Sequence, residues 1–237
     1  MRKMIVFGLM ICVASAWAFS GYIYRYRLTL SVEADGNIYV GSSVIQVEVS
    51  RGININGGGT ITKSKVTGDV VVVNIGKRGM LFALLSGRNG SAADTIIYKI
   101  FPISGNILGN AAIDRYPGLR ISAEVPKDDL PMLVRFRNIN DPTTIEQVFV
   151  NNIARDFGGG AKLVRSTIDI VSPGVWPFNK FGVTGIPITT GIQGLFPPWF
   201  VEIKRRQASL DGDDGLLRHI DAPLANQVFV SNFSRKD

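Results

Sequence analysis

The residue types that could do chemistry are few in this chain. His219 is its only histidine and Cys12 its only cysteine. A single imidazole excludes the two-histidine zinc sites and the HExxH signature of zinc hydrolases. A body without cysteine excludes disulfides, thiolate nucleophiles and thiolate-bound zinc, in any redox compartment. A Ser-His-Asp relay stays open by arithmetic, since Asp221 lies close to His219, but no GxSxG elbow presents a serine to it. The run LDGDDG brings together Asp211, Asp213 and Asp214, carboxylates of the kind that calcium, a hard cation, accepts. Counted as an EF-hand loop from Asp211, position five is Gly215 and position twelve is Ala222, where the bidentate glutamate belongs. No metal is therefore expected, and the three aspartates stand beside a polar turn as the only candidates for one.

The glycine-rich runs GININGGG and FGGG have backbone suited to phosphate. Neither carries the GK[ST] ending of a P-loop nor a complete GxGxxG after a strand, so flexible turns are the plainer use and no cofactor is expected. Glu146, Asp169, Glu202 and the other acids are scattered, and spacing picks out no carboxylate pair for glycoside hydrolysis; the catalytic residues are unknown at this level. Two sets of residues could instead bind a partner. Trp176, Trp199, Phe196 and Phe200 sit among prolines in VSPGVWPF and GLFPPWF, where rigid aromatics offer an apolar surface to a protein, a glycan or a membrane interface, or else cover a sheet. Arg135 and Arg137 alternate with Val134 and Phe136 near Asp141, which suits either an anion clamp or cross-strand salt bridges.

The elements that must position these residues are mostly strands. Tyr24, Tyr26, Leu28, Leu30 and Val32 fall on one face of a period-two pattern, with Arg25, Arg27, Thr29, Ser31 and Glu33 on the other,. Asp35-Gly36 supplies turn chemistry and Ile38 to Val49 resumes the strand, with Gly41 marking a bulge or a close approach. Arg51 to Gly68 reads as a long loop, DVVVVNIG as a buried strand, MLFALL as ambiguous, SGRNGSAAD as a loop and TIIYKIF (95–101) as a strand. Residues 107–115 suit one helix. MLVRFRNI predicts a strand closed by a turn at Asn140-Asp141-Pro142; IEQVFV follows as a strand, NNIARDF as a short helix capped by Asn151 or Asn152 and stopped by Gly158, and KLVRSTIDIV as a strand. Ser172 to Pro198 predicts an irregular arm rich in proline, glycine and aromatics. One echo, QVFVNNIAR against QVFVSNFSR, matches at six of nine positions; a shared strand-then-turn requirement explains it more simply than duplication. The expected fold is α+β and predominantly β, with antiparallel sheets and a few short helices behind an N-terminal hydrophobic helix.

That helix is an export segment. MRK precedes MIVFGLMICVASAWAF, and no acidic residue occurs before Glu33. Met4 to Tyr24 is long enough to span a bilayer as a helix, with Trp17, Tyr22, Tyr24 and Tyr26 as interfacial aromatics and Arg2 and Lys3 as cytoplasmic charge. Ala16 and Ala18 bracket Trp17 as an A-x-A cleavage site, so secretion into the periplasm after cleavage is the alternative. Arg25 and Arg27 place positive charge on the other flank, which keeps a cytoplasmic body open as well. Ile11 before Cys12 is too large for a lipobox. Residues 1–24 thus read as signal peptide or transmembrane anchor, and 25–237 as a single β-rich extracytoplasmic domain with its arm at about 172–200.

The composition, 46% hydrophobic and 19% charged, excludes disorder for the body. The net charge of +7 falls to +5 without residues 1–18, a surplus suited to solubility and possible contact with anionic lipid or glycan, and no basic run forms a nucleic-acid footprint. YRYRLTLSVEADG, GSSVIQVEV, PMLVRFRNINDPTTIEQV and ITTGIQ together resemble a group of proteobacterial proteins that begin with a membrane-spanning segment. The resemblance runs from Tyr24 to about Leu195 and brings no activity, cofactor or site residue with it; it implies an exported or anchored domain, which the leader places at the inner membrane with its body in the periplasm. The functional expectation is a non-catalytic binding or structural domain of the cell envelope, with an envelope protein or glycan as partner; the rival is an envelope-component hydrolase with carboxylate chemistry.

Overall fold

The computed structural model describes residues 22–53, 60–85, 92–101, 121–171, 187–202 and 233–235. The N-terminal segment up to Gly21, expected to be a signal peptide or anchor, and the helix expected at 107–115 lie outside these segments. Among the described residues, no helix is long and apolar enough to cross a membrane.

The opening hairpin forms as its alternation requires. β1 (Tyr22–Ala34) pairs antiparallel with β2 (Asn37–Ile53) from Ala34 opposite Asn37 back to Tyr22 opposite Val49. The two residues between them, Asp35 and Gly36, both have positive φ, 52° and 71°, which a two-residue turn needs if its twist is to match the strands. Tyr24, Tyr26, Leu28, Leu30 and Val32 are all buried on the inner face. This corrects the reading of Tyr24 and Tyr26 as interfacial anchors: both rings lie in the core, and β1 starts at Tyr22, so residues 22–24 are strand rather than leader. On the opposite face Arg25 is also buried, and its Nε donates to Gln46 Oε1 at 2.9 Å.

Two further expectations are overturned. The loop at Arg51 to Gly68 is largely strand: β2 runs on to Ile53, and β3 (Thr60–Asp69) pairs with it from Gln46 opposite Thr67 to Ile53 opposite Thr60. Thr60, Ile61, Thr62, Val66 and Thr67 are β-branched and fit a pleated surface although the threonines among them are polar,. TIIYKIF is helical, as α1 (Ile96–Ile100); Ile96 and Ile97 are buried while Lys99 points to Asp129 at 3.4 Å. Short apolar runs suit either structure, and packing settles which.

The remaining strands are β4 (Val71–Asn74), β5 (Met80–Ala83), β6 (Ser122–Glu124), β7 (Leu133–Phe136), β8 (Ile145–Val148), β9 (Lys162–Val171) and β10 (Ser234–Arg235). They form a six-stranded sheet in the order β10-β3-β2-β1-β9-β6 and a four-stranded sheet in the order β4-β5-β7-β8, and every pairing among the described residues is antiparallel. α2 (Ile153–Phe157) follows a 3-10 turn at Val150–Asn152 and stops at Gly158; Asn152 holds the cap position without a side-chain capping bond. The fold is predominantly β with a few short helices. At the positions of the echo that can be compared, Ile153 and Phe233 are both helical, while Ala154-Arg155 is helical and Ser234-Arg235 is strand.

The sheets pack face to face, with β4 crossing β2 and β1. The crossing is closest at Gly41, where a Cβ would stand 2.0 Å from the Val72 carbonyl oxygen, so only glycine lets the two backbones touch. At the hairpin end Arg78 ties the layers together: its Nη2 and Nε donate to the Asp35 carboxylate at 2.5 and 2.9 Å, and its Nη1 donates to Phe157 O at 2.9 Å. At the other end the hydroxyls of Tyr26 and Tyr24 donate to the carbonyls of Ala93 and Asp94 at 2.7 and 3.1 Å.

Two outcomes follow. Gly41→Ala must push β4 away and is expected to cost about 1–3 kcal/mol of unfolding free energy, seen as a lower urea midpoint at unchanged m. Burial first, and the charge of Asp94 second, hold the Tyr26 hydroxyl well above the ordinary phenol range. Because the folded value is the higher one, this stability is complete below the unfolded phenol pKa of about 10 and is lost as pH climbs above it. Urea titrations at rising alkaline pH should show that decline, and Tyr26→Phe should flatten it.

Candidate functional site

The arginines chosen as a possible anion clamp already hold an anion. β7 and β8 place Arg135 directly opposite Glu146. Arg135 Nε and Nη2 donate to Glu146 Oε2 at 3.1 and 2.9 Å, and Arg137 Nε donates to Oε1 at 2.9 Å. The Arg135 guanidinium also lies 5.7 Å from the centre of the Phe157 ring. Alongside, Arg155 Nε donates to the buried Asp156 at 2.9 Å, and that bond raises the Arg155 pKa. Asp141 does not join them. It accepts from Thr143 N and Oγ1 at 2.9 and 2.7 Å, which lowers its pKa and closes the turn before β8. Of the two readings of Arg135 and Arg137, the geometry is that of cross-strand salt bridges.

The aromatic arm divides. Phe196 and Phe200 stack at 4.1 Å, Phe82 lies 5.4 Å from Phe196, and Phe233 and Phe136 close the cluster. Phe200 is 1% exposed and has no surface for a partner. Trp199 is half-buried against Phe136 at 5.6 Å, and its Nε1 donates to Ile139 O at 2.7 Å. Part of the expected irregular arm is thus core. Trp176, Asp211, Asp213, Asp214 and His219 lie outside the described residues, and among those described no three His, Cys, Asp or Glu side chains gather as a metal site requires.

What holds the arm is Asp69, which the sequence reading passed over. At this point β3 leaves β2 to become β4, and Thr189 wedges between them: Thr189 N donates to Val44 O at 3.0 Å, and Asp69 N donates to Thr189 O at 3.0 Å. Asp69 Oδ2 accepts from Gly191 N at 2.5 Å and Ile192 N at 3.2 Å, while Ser43 Oγ donates to the Asp69 carbonyl at 2.6 Å. The side chain is fully buried, and Oδ1 has no partner among the described residues. An acid heading the DVVVV run was the visible signal, because a carboxylate entering a core needs donors.

The surface is recessed beside β9. β6 pairs with β9 only as far as Glu124 opposite Thr167, with Val125 N donating to Ser166 O at 2.9 Å and Ser166 Oγ to Val125 O at 2.7 Å. Pro126 then turns the chain away. From Arg165 to Lys162, β9 keeps β1 on one side and has no described strand on the other. The space left is about 340 Å³, lined by Glu124, Pro126, Lys127, Leu163, Val164 and Arg165 among others. No described ion pair uses Glu124, Lys127 or Arg165. Spacing could not have found these residues, since about forty positions separate the two walls.

No family model, curated protein or solved structure matches the chain.

Asp69→Ala removes the acceptor from two backbone donors and is expected to cost about 3 kcal/mol. Hydrogen exchange should report it locally, with the amides of Gly191 and Ile192 losing protection before those of β1.

Proposed function

We propose that this protein is a non-catalytic binding domain of the cell envelope, carried to the periplasmic side of the inner membrane by its N-terminal segment. The recess beside β9 is the observation that supports binding. There a strand edge with no described partner, an apolar wall and charges in no described ion pair coincide, whereas the described sheet interior is filled by its own side chains. Among the described residues, the carboxylates that a hydrolase would need are mostly occupied. Glu146 is held by Arg135 and Arg137, Asp156 by Arg155, Glu33 by Lys162, Asp35 by Arg78, and Asp69 by backbone amides. That weighs toward binding over acid-base chemistry, which needs a carboxylate free to exchange a proton.

The location rests on the leader, whose apolar run between Arg2-Lys3 and the first strand suits export, and on the resemblance to membrane-anchored proteobacterial proteins. With β1 starting at Tyr22, the sheet would begin almost at the bilayer surface. Cell fractionation with protease treatment of spheroplasts tests this placement. The expected result is a membrane-bound chain that keeps residues 1–18 and is digested from outside; a mature N-terminus at Phe19 would replace the anchor with a cleaved signal, and a protected chain in the cytosol would overturn the proposal.

A further inference from the structure

We infer that the recess beside β9 docks an extended peptide segment bearing a carboxylate, which adds to β9 as a short strand beyond β6. The inference rests on the binding reading above and names the partner's chemistry. Three features converge. The first is the edge itself: Lys162–Arg165 is strand with one flank unpaired by any described element, and exposed ladder positions of this kind are filled by extended segments that supply matching N–H and C=O groups. At about 3.3 Å per residue, this edge is some 13 Å long, room for a peptide of about four residues.

The second feature is the apolar wall. β9 is irregular between the partners of Ser31 and Val32, where Val164 is the extra residue, and Val164 lines the recess at 39% exposure beside Leu163 and Pro126. A bulge and flanking basic residues also guard an edge against indiscriminate pairing. That favours a selective occupant. The third feature is charge. Lys127 and Arg165 face one carboxylate, Glu124, in the same recess, and with none of the three in a described ion pair the lining carries one positive charge in excess. A carboxylate side chain or terminus on the incoming strand neutralises it. A glycan would meet the cations but has no backbone ladder to pair with β9, so the edge selects peptide.

The test uses the full chain in detergent and three probes: the acetylated peptide Val-Thr-Val-Asp-Val-Glu, its counterpart with lysine for both acids, and an oligogalacturonate. The acidic peptide should bind about tenfold tighter than the lysine peptide, with the preference shrinking as salt rises. It should also shift the amide resonances of Leu163 to Arg165. Arg165→Glu and Lys127→Glu change exposed side chains that no described contact uses, so folding should be unaffected, and each should weaken binding about fivefold. Equal binding of the two peptides, or affinity indifferent to both variants, overturns the site. Binding of the oligogalacturonate alone overturns the peptide while leaving the binding-domain reading intact, and a chain found in the cytosol removes that reading instead.

Discussion

A chain that passes straight from one sheet into the next strips backbone groups of their partners at the crossing, and in this protein the buried carboxylate of Asp69 gathers what is left. β3 and β4 are separated by Val70 alone. Where they part company with β2, Thr189 supplies the missing ladder contacts and Asp69 receives the amides of Gly191 and Ile192. The same corner takes the C-terminal strand, since Ser234 pairs with Asp69 and Val70 N donates to Phe233 O at 2.9 Å. Three separate stretches of sequence therefore meet on one buried acid. Its cost is real, because burying a charge without donors is strongly unfavourable; the two amides offset it on one oxygen only.

The described part of the aromatic arm, residues 187–200, is anchored at that corner. With residues 189–192 held, Phe196 stacks on Phe200 and Phe82, both Phe196 and Phe200 meet Phe233 edge-on, and Phe233 in turn contacts Phe136. Edge-to-face and offset pairs of this kind add to the stability from burial alone. The consequence for function is negative on the faces and positive at the margins. The inner faces are filled, and the arginines of β7 are committed to Glu146. For the proposed binding role, the described residues leave the strand edges, where the backbone of β9 outruns its partner β6.

Legibility in the sequence followed the strength of the local signal. The β1–β2 hairpin and its turn were readable because alternation and Asp-Gly turn chemistry agree, although β2 runs on to Ile53; β7, β8, α2 and β9 were readable for similar reasons. β3 was hidden by the Gly-Asn run before it and by its lysines and serine, which look like loop composition until β2 provides a partner. α1 was misread because five apolar-rich residues carry too little periodicity to separate 3.6 from 2. The site residues fared worse. Arg135 and Arg137 were seen as a pair, but the acid between them, Glu146, belongs to another strand. Tyr24 and Tyr26 had been assigned twice, to a membrane interface and to a strand face, and burial chose the second.

By itself, then, the sequence determined a β-rich body behind an apolar N-terminal segment, the first hairpin with its turn, and the exclusion of thiol and two-histidine metal chemistry, since each of these depends on residue counts or on neighbours along the chain. Only the tertiary structure decided that β3 pairs with β2, that Asp69 is the knot of the fold, that the arginines are spent, and that Lys127 and Arg165 share a recess. Those facts depend on which distant segments come to lie side by side, and no local pattern encodes the far partner of a hydrogen bond.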